Sequence, residues 1–146
     1  MLSAQANGTI LLMYQENGHI TKINEDKAHP NPGFVTVYGT LHSTPADTFQ
    51  DITEIRAARN GPEGELRTMS FDDGKCYENN GTLESLRRQT LSHRPTLNVE
   101  TPNLWCGTDV QLPEQLQSGD IYTLYWVWFF SPKQIYTTCI DILIVD

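Results

Sequence analysis

Apolar residues fall along this chain in short runs with a period of two or with no gap, and most runs end in turn residues. Thr9 to Tyr14 is an apolar run that stops at Gln15-Glu16-Asn17-Gly18. Gly33 to Gly39 is β-branched and aromatic, bounded by glycines. Phe49 to Arg56 alternates loosely and reads as a further strand. Leu66 to Phe71 alternates and ends at the turn Asp72-Asp73-Gly74. Ile121 to Phe130 is apolar on both faces, which suits a central strand between two layers. Ser131-Pro132-Lys133 then reads as a hairpin connection into a last strand, Gln134 to Val145. The one helix candidate is Thr82 to Thr90, with Leu83, Leu86 and Arg87 on one side. Ser92 to Asn103 holds prolines and no period, so it reads as a long surface loop. Gln111 to Asp120 reads as another connection, and no internal repeat is visible.

Several short strands with turns between them and almost no helix predict an all-β fold. The expected architecture is an antiparallel, immunoglobulin-like β-sandwich with long loops and at most one short helix. Residues 1–146 form a single domain in this reading, since 146 residues suit one core. Function is expected on the loops at one end of the sandwich.

Composition narrows the partner. Hydrophobic residues make up 38% of the chain, enough for a packed core. The formal net charge is −8 and the isoelectric point about 4.8, against nucleic acid and anionic membrane surfaces, which need clustered Lys and Arg. A neutral polysaccharide or a cation fits better. The longest apolar run, Leu124 to Phe130, is strand-sized rather than membrane-spanning. Met1-Leu2-Ser3-Ala4-Gln5 lacks the basic and apolar regions of a signal peptide, so the expectation is a cytosolic protein or a mature or truncated form of a longer one. Cys76, Cys106 and Cys139 make an odd count without a Cys-x-x-Cys pair, which disfavours a cysteine zinc site. Asn7 and Asn80 each begin an Asn-Gly-Thr sequon, a glycosylation site if the chain is secreted.

Candidate chemistry centres on Tyr14-Gln15-Glu16-Asn17-Gly18-His19. A strand running into a tight Asn-Gly turn places His19 on the rim of a β-structure. There it can be a metal ligand, a catalytic base or a solvated side chain, and a lone loop histidine is most often the last. Imidazole is nevertheless a preferred ligand for copper and zinc. In the last strand, Tyr136 and Thr138 share one face and Cys139 lies on the other. Tyr136 near the strand start can meet a rim metal or only water. Trp126 and Trp128 share a face; core packing explains them better than sugar stacking. Asp72 and Asp73 resemble paired catalytic carboxylates, but with Gly74 following they read as turn residues. Glu63 and Glu65 read as solvated. There is no Gly-x-Ser-x-Gly elbow and no phosphate loop.

Five segments taken together resemble a largely uncharacterised family of small secreted fungal proteins that look related to lytic polysaccharide monooxygenases. They are Tyr14-Gln15-Glu16-Asn17-Gly18-His19-Ile20-Thr21, Phe71-Asp72-Asp73-Gly74-Lys75-Cys76-Tyr77, Leu104-Trp105-Cys106, Tyr122-Thr123-Leu124-Tyr125-Trp126-Val127-Trp128 and Ile135-Tyr136-Thr137-Thr138-Cys139-Ile140-Asp141. They come in the family's order and span nearly the whole chain. The resemblance implies a copper histidine brace, in which an N-terminal histidine supplies amine and imidazole, a second histidine completes three nitrogens and a tyrosine sits axially. His19 falls on the second-histidine position and Tyr136 on the axial one. Copper then activates oxygen or peroxide against a glycosidic C–H bond. Two departures stand out. The brace's first histidine, which the family carries on a further N-terminal segment, has no counterpart in this sequence. The stretch between Trp128 and Tyr136 is also shorter than the family's Pro- and Gly-rich loop. The resemblance further implies that Cys139 pairs with an upstream cysteine, which leaves Cys76–Cys106 as the internal disulfide. The expected function is a secreted monooxygenase-like domain with an incomplete copper site and little activity as it stands. The alternative is a non-catalytic β-sandwich that binds a polysaccharide or cell-wall surface. His29, His42 and His93 are the other histidines from which a further ligand would have to come.

Overall fold

A computed structural model of the chain describes residues 1–23, 31–54, 61–92 and 103–146. The described elements are β1 (Leu2–Gln5), β2 (Thr9–Tyr14), β3 (Phe34–Thr40), α1 (Phe49–Glu54), β4 (Gly64–Ser70), α2 (Leu83–Leu91), β5 (Cys106–Gln111), β6 (Ile121–Ser131) and β7 (Gln134–Val145). A five-stranded sheet runs in the order β1-β7-β6-β3-β4, and β2 pairs with β5 in a second, two-stranded sheet. The two sheets make the sandwich. Pairing is antiparallel except between β1 and β7, which run parallel with Leu2 opposite Ile142. Among the described residues there are two short helices rather than one.

The centre is β6, and its sequence explains why. Tyr122, Leu124, Trp126, Trp128 and Phe130 face the two-stranded sheet and pack in the main core with Val110, Leu112, Ile142 and Ile144. The alternate residues Tyr125 and Val127 face the other way and pack with Tyr38 and Ile52. The strand is therefore apolar on both faces as its sequence predicts, but one of its faces meets α1 through Ile52 rather than another sheet. Fully burying side chains of this size contributes roughly 1.5–3 kcal/mol each, so β6 is the main stabilising element.

The Phe49–Arg56 stretch was expected as a strand, yet Phe49–Glu54 is helical. Thr48 and Asp51 explain it. The Asp51 amide donates to Thr48 Oγ1 at 3.3 Å, and the Thr48 amide donates to Asp51 Oδ2 at 2.7 Å. That reciprocal cap satisfies two amide donors at the helix start. The helix predicted at Thr82–Thr90 is α2, capped by Thr82, whose hydroxyl accepts from the Ser85 amide. Its inward face differs from the prediction. Ser85 and Arg88 are buried, while Leu83, Leu86 and Leu91 are exposed. The helix docks through hydrogen bonds rather than through leucines. Strands β1 and β5 were not anticipated. The loop expected over Ser92–Asn103 lies almost wholly outside the described residues.

Two glycines are fixed by close approach. A Cβ on Gly33 would lie 2.0 Å from the Phe129 carbonyl oxygen, and its φ of 78° is in the left-handed region. A Cβ on Gly39 would lie 1.9 Å from the Tyr122 hydroxyl, which donates to the Pro62 carbonyl.

Candidate functional site

The turn that presents His19 is built as the sequence predicts. Asn17 and Gly18 both have positive φ, at 48° and 80°, and the His19 amide donates to the Glu16 carbonyl at 2.9 Å. Two positive φ values in the middle of a four-residue turn are what Asn-Gly favours. The chain does not then return as a hairpin partner of β2. It closes another turn, with the Lys22 amide donating to the Gly18 carbonyl at 3.2 Å.

Glu16 holds this loop. It is buried, and its carboxylate accepts from the amides of Ile20 (2.7 Å), Thr21 (3.3 Å) and Glu78 (3.0 Å) and from the Thr21 hydroxyl. Asn80 adds a bond from Nδ2 to Thr21 Oγ1 at 2.7 Å. A buried carboxylate demands such donors, and each of them is backbone or hydroxyl from a segment that must meet here. The Glu78 amide lies two residues past Cys76, which is disulfide-bonded to Cys106 with 4.7 Å between Cα atoms. The disulfide implied by the resemblance is present, and Cys139 is free and exposed.

His19 itself is partly exposed. Its ring lies edge-on to Trp128 and to Phe130, each at 5.0 Å between centroids. Trp128 is fixed by its indole N–H donating to the Pro32 carbonyl at 2.7 Å and by stacking on Phe71 at 4.1 Å. On β7, Tyr136 sits opposite Trp128 and its ring is 5.2 Å from the same indole. Thus His19 and Tyr136, from opposite ends of the sequence, each pack on Trp128 at one end of the sandwich. Tyr136 is 47% exposed there, and Phe34, at the same sheet end, is 45% exposed. Trp105 is 46% exposed and shares a small pocket with Gln15, Glu16 and Asn17.

A family model described as a domain of unknown function (DUF7492) matches residues 1–146. The chain belongs to that family. No curated protein and no solved structure matches it.

In this DUF7492 domain His42 does not join His19. His42 follows the far end of β3, about 20 Å along the strand from Phe34 at roughly 3.3 Å per residue. The fold carries it away because β3 runs the full width of the sheet. His29 and His93 lie outside the described residues. The rim therefore offers one imidazole and one phenol among the described residues. A brace takes three nitrogens, so this set does not complete one.

The remaining candidates have structural roles. Asp72 takes two hydrogen bonds from Arg88, both 2.7 Å, and one from the Gly74 amide at 2.8 Å. Burial pushes its carboxyl up, but Arg88 and that amide outweigh the burial and hold it below the ordinary carboxylate range. Asp73 accepts from the amides of Lys75, Cys76 and Gly107. It lies beside the two disulfide sulfurs, but an oxidised pair offers no thiolate for a metal. Glu63 is not simply solvated, since it accepts from the Leu41 amide at 2.8 Å, and Glu65 accepts from Thr68. The two sequons differ. Asn7 is exposed in the turn between β1 and β2, whereas the Asn80 amide nitrogen is spent on Thr21.

Sequence reasoning picked out His19, Tyr136 and the tryptophans. It missed Glu16, the residue that shapes the rim loop. The signal was present: an acidic residue directly before an Asn-Gly turn, followed by several free amides.

Proposed function

We propose that this domain is a lytic polysaccharide monooxygenase-like β-sandwich with an incomplete copper site. In this reading His19 holds the place of the second brace histidine, Tyr136 holds that of the axial tyrosine, and the chain has little oxidative activity by itself. The convergence of His19 and Tyr136 on Trp128 supports the reading, because nothing in the local sequence of either residue requires it. The chemistry of the pair agrees. A neutral imidazole is a good copper ligand and a phenol a weak one, so two such donors give weak binding. Secretion and polysaccharide partners belong to the same proposal, as does glycosylation, for which exposed Asn7 fits better than Asn80. The test is calorimetric titration with Cu(II) of the wild type, His19→Ala and Tyr136→Phe. Weak binding abolished by His19→Ala supports the reading. Tight binding that survives His19→Ala overturns it.

A second reading has its own support. Tyr136 and Trp105 leave aromatic surface exposed around the His19 end, a feature suited to stacking on sugar rings without catalysis. Retention on an insoluble polysaccharide without added copper, lost in Tyr136→Ala with Trp105→Ala, would favour a binding module.

A further inference from the structure

The two halves of β7 are paired differently. Ile142 and Leu143 lie between β6 and β1, and β1 continues along Ile144 and Val145. Gln134 to Ile140 pair with β6 alone, and among the described residues no strand covers their other edge. The residues Gln134 to Cys139 are all exposed. An open edge offers a row of unpaired N–H and C=O groups, and proteins usually guard it with lysine, proline or a bulge. Here the segment reads Gln-Ile-Tyr-Thr-Thr-Cys-Ile, with β-forming residues throughout and no charge.

We propose that this edge pairs with itself: β7 of a second copy of the chain lies antiparallel to it about a two-fold axis at Thr137, joining two five-stranded sheets. The flanking charges select this register. With Thr137 opposite its own copy, Gln134 faces Ile140, Ile135 faces Cys139 and Tyr136 faces Thr138. Lys133 then faces Asp141 at both ends, so two opposite-charge pairs bracket a neutral strand. Lys133 and Asp141 are both exposed. The adjoining surface suits the same occupant. A cavity of about 320 Å³ next to the edge is lined by Leu11, Met13, Trp126, Thr138 and Ile140, among others. Leu11 and Met13 are each more than half exposed. In the proposed register the second copy's Tyr136 stands opposite Thr138, at the mouth of that cavity. The contact is isologous, so it closes at two copies and does not propagate.

Sedimentation equilibrium on the full chain tests this, with Cys139→Ser as background so that no intermolecular disulfide contributes. A dimer is expected at tens of micromolar. Thr137→Lys sets like charges opposite each other at the axis and should give a monomer with an unchanged circular dichroism spectrum. Lys133→Glu, a change in the exposed hairpin turn, should weaken the dimer about tenfold, and adding Asp141→Lys should restore it. A monomeric parent at high protein concentration overturns the proposal, as does a dimer indifferent to Thr137→Lys. A dimer lost in Thr137→Lys but unmoved by the charge exchange overturns the register.

Discussion

His19 and Tyr136 reach the same rim but are held there in opposite ways. His19 stands on a loop closed by a buried carboxylate with four donors, anchored two residues from a disulfide. Tyr136 stands on an exposed half-strand that, among the described residues, has a neighbouring strand on one side. The first arm is positioned by folding itself, because unmaking it strands buried polar groups. Among the described residues the second arm is positioned by its hairpin with β6 and by the ring contact with Trp128, so its setting depends on what pairs with the β7 edge. A site built across this rim has one preorganised half and one half open to a partner's influence.

The largest way to break that contrast is to open the disulfide. Cys76→Ala with Cys106→Ala removes a link between residues 30 apart in sequence, worth about 3.5 kcal/mol by loop-closure entropy. Urea denaturation should show that loss. Hydrogen exchange should show the amides of Ile20 and Glu78 losing protection before those of the β6–β7 ladder. Equal loss in both regions would mean that the His19 arm is not separately held.

Glu16→Ala comes next. It strands the amides of Ile20, Thr21 and Glu78 together, and two or three buried donors left unpaired cost about 3 kcal/mol in all. Glu16→Gln keeps one acceptor oxygen and should cost about half as much. The proton chemical shifts of the His19 ring, displaced by the nearby Trp128 and Phe130 rings, should move toward random-coil values in Glu16→Ala. Retained shifts would show that ring packing alone holds the imidazole.

Arg88 supplies a third test, one with a pH signature. Hydrogen bonds from Arg87 and then Arg88 pull Glu84 from its ordinary 4.5 to about 2, and Arg88 helps hold Asp72 low against its burial. A carboxyl lowered in the folded state contributes stability that is present above its unfolded pKa. That stability is lost as pH falls through the folded value. Wild-type stability should therefore fall between about pH 4.5 and about pH 2. Arg88→Leu should cost about 2 kcal/mol at neutral pH, less than a fully buried pair because Asp72 is partly solvated, and should flatten the acid slope. An unchanged slope would place the acid sensitivity elsewhere.

The parts legible in the sequence follow the same division. Strands β2, β3, β4, β6 and β7 were readable because β-branched and aromatic residues crowd them and turns bound them. Strand β1, Leu-Ser-Ala-Gln, is too short and too polar to carry a pattern. Strand β5 hides behind Gly107 and Asp109, and its inward residues, Cys106, Thr108 and Val110, are mostly small. The Thr48–Asp51 cap was overlooked because the apolar spacing around Ile52 suits a strand as well as one helical turn. The Cys76–Cys106 pairing came from family resemblance, since three cysteines alone allow three pairings. Glu16 was harder to find because most of its donors are backbone amides, and its place directly before the Asn-Gly turn is the one mark it leaves in the sequence.

Tyr136→Phe is the smallest change and the sharpest on the open arm. The ring contact with Trp128 is kept, and only the hydroxyl, on a side chain 47% exposed, is removed. Stability should shift by less than about 0.5 kcal/mol, as at other surface positions. Tyr136→Ala, which also deletes the ring contact, should cost about 1 kcal/mol. The pair of variants separates packing from the hydroxyl in one thermal-melt comparison. If Tyr136→Phe alone costs more than 1 kcal/mol, the hydroxyl is bonded within the fold. Tyr136 would then be as fixed as His19, and the contrast between the two arms would fail.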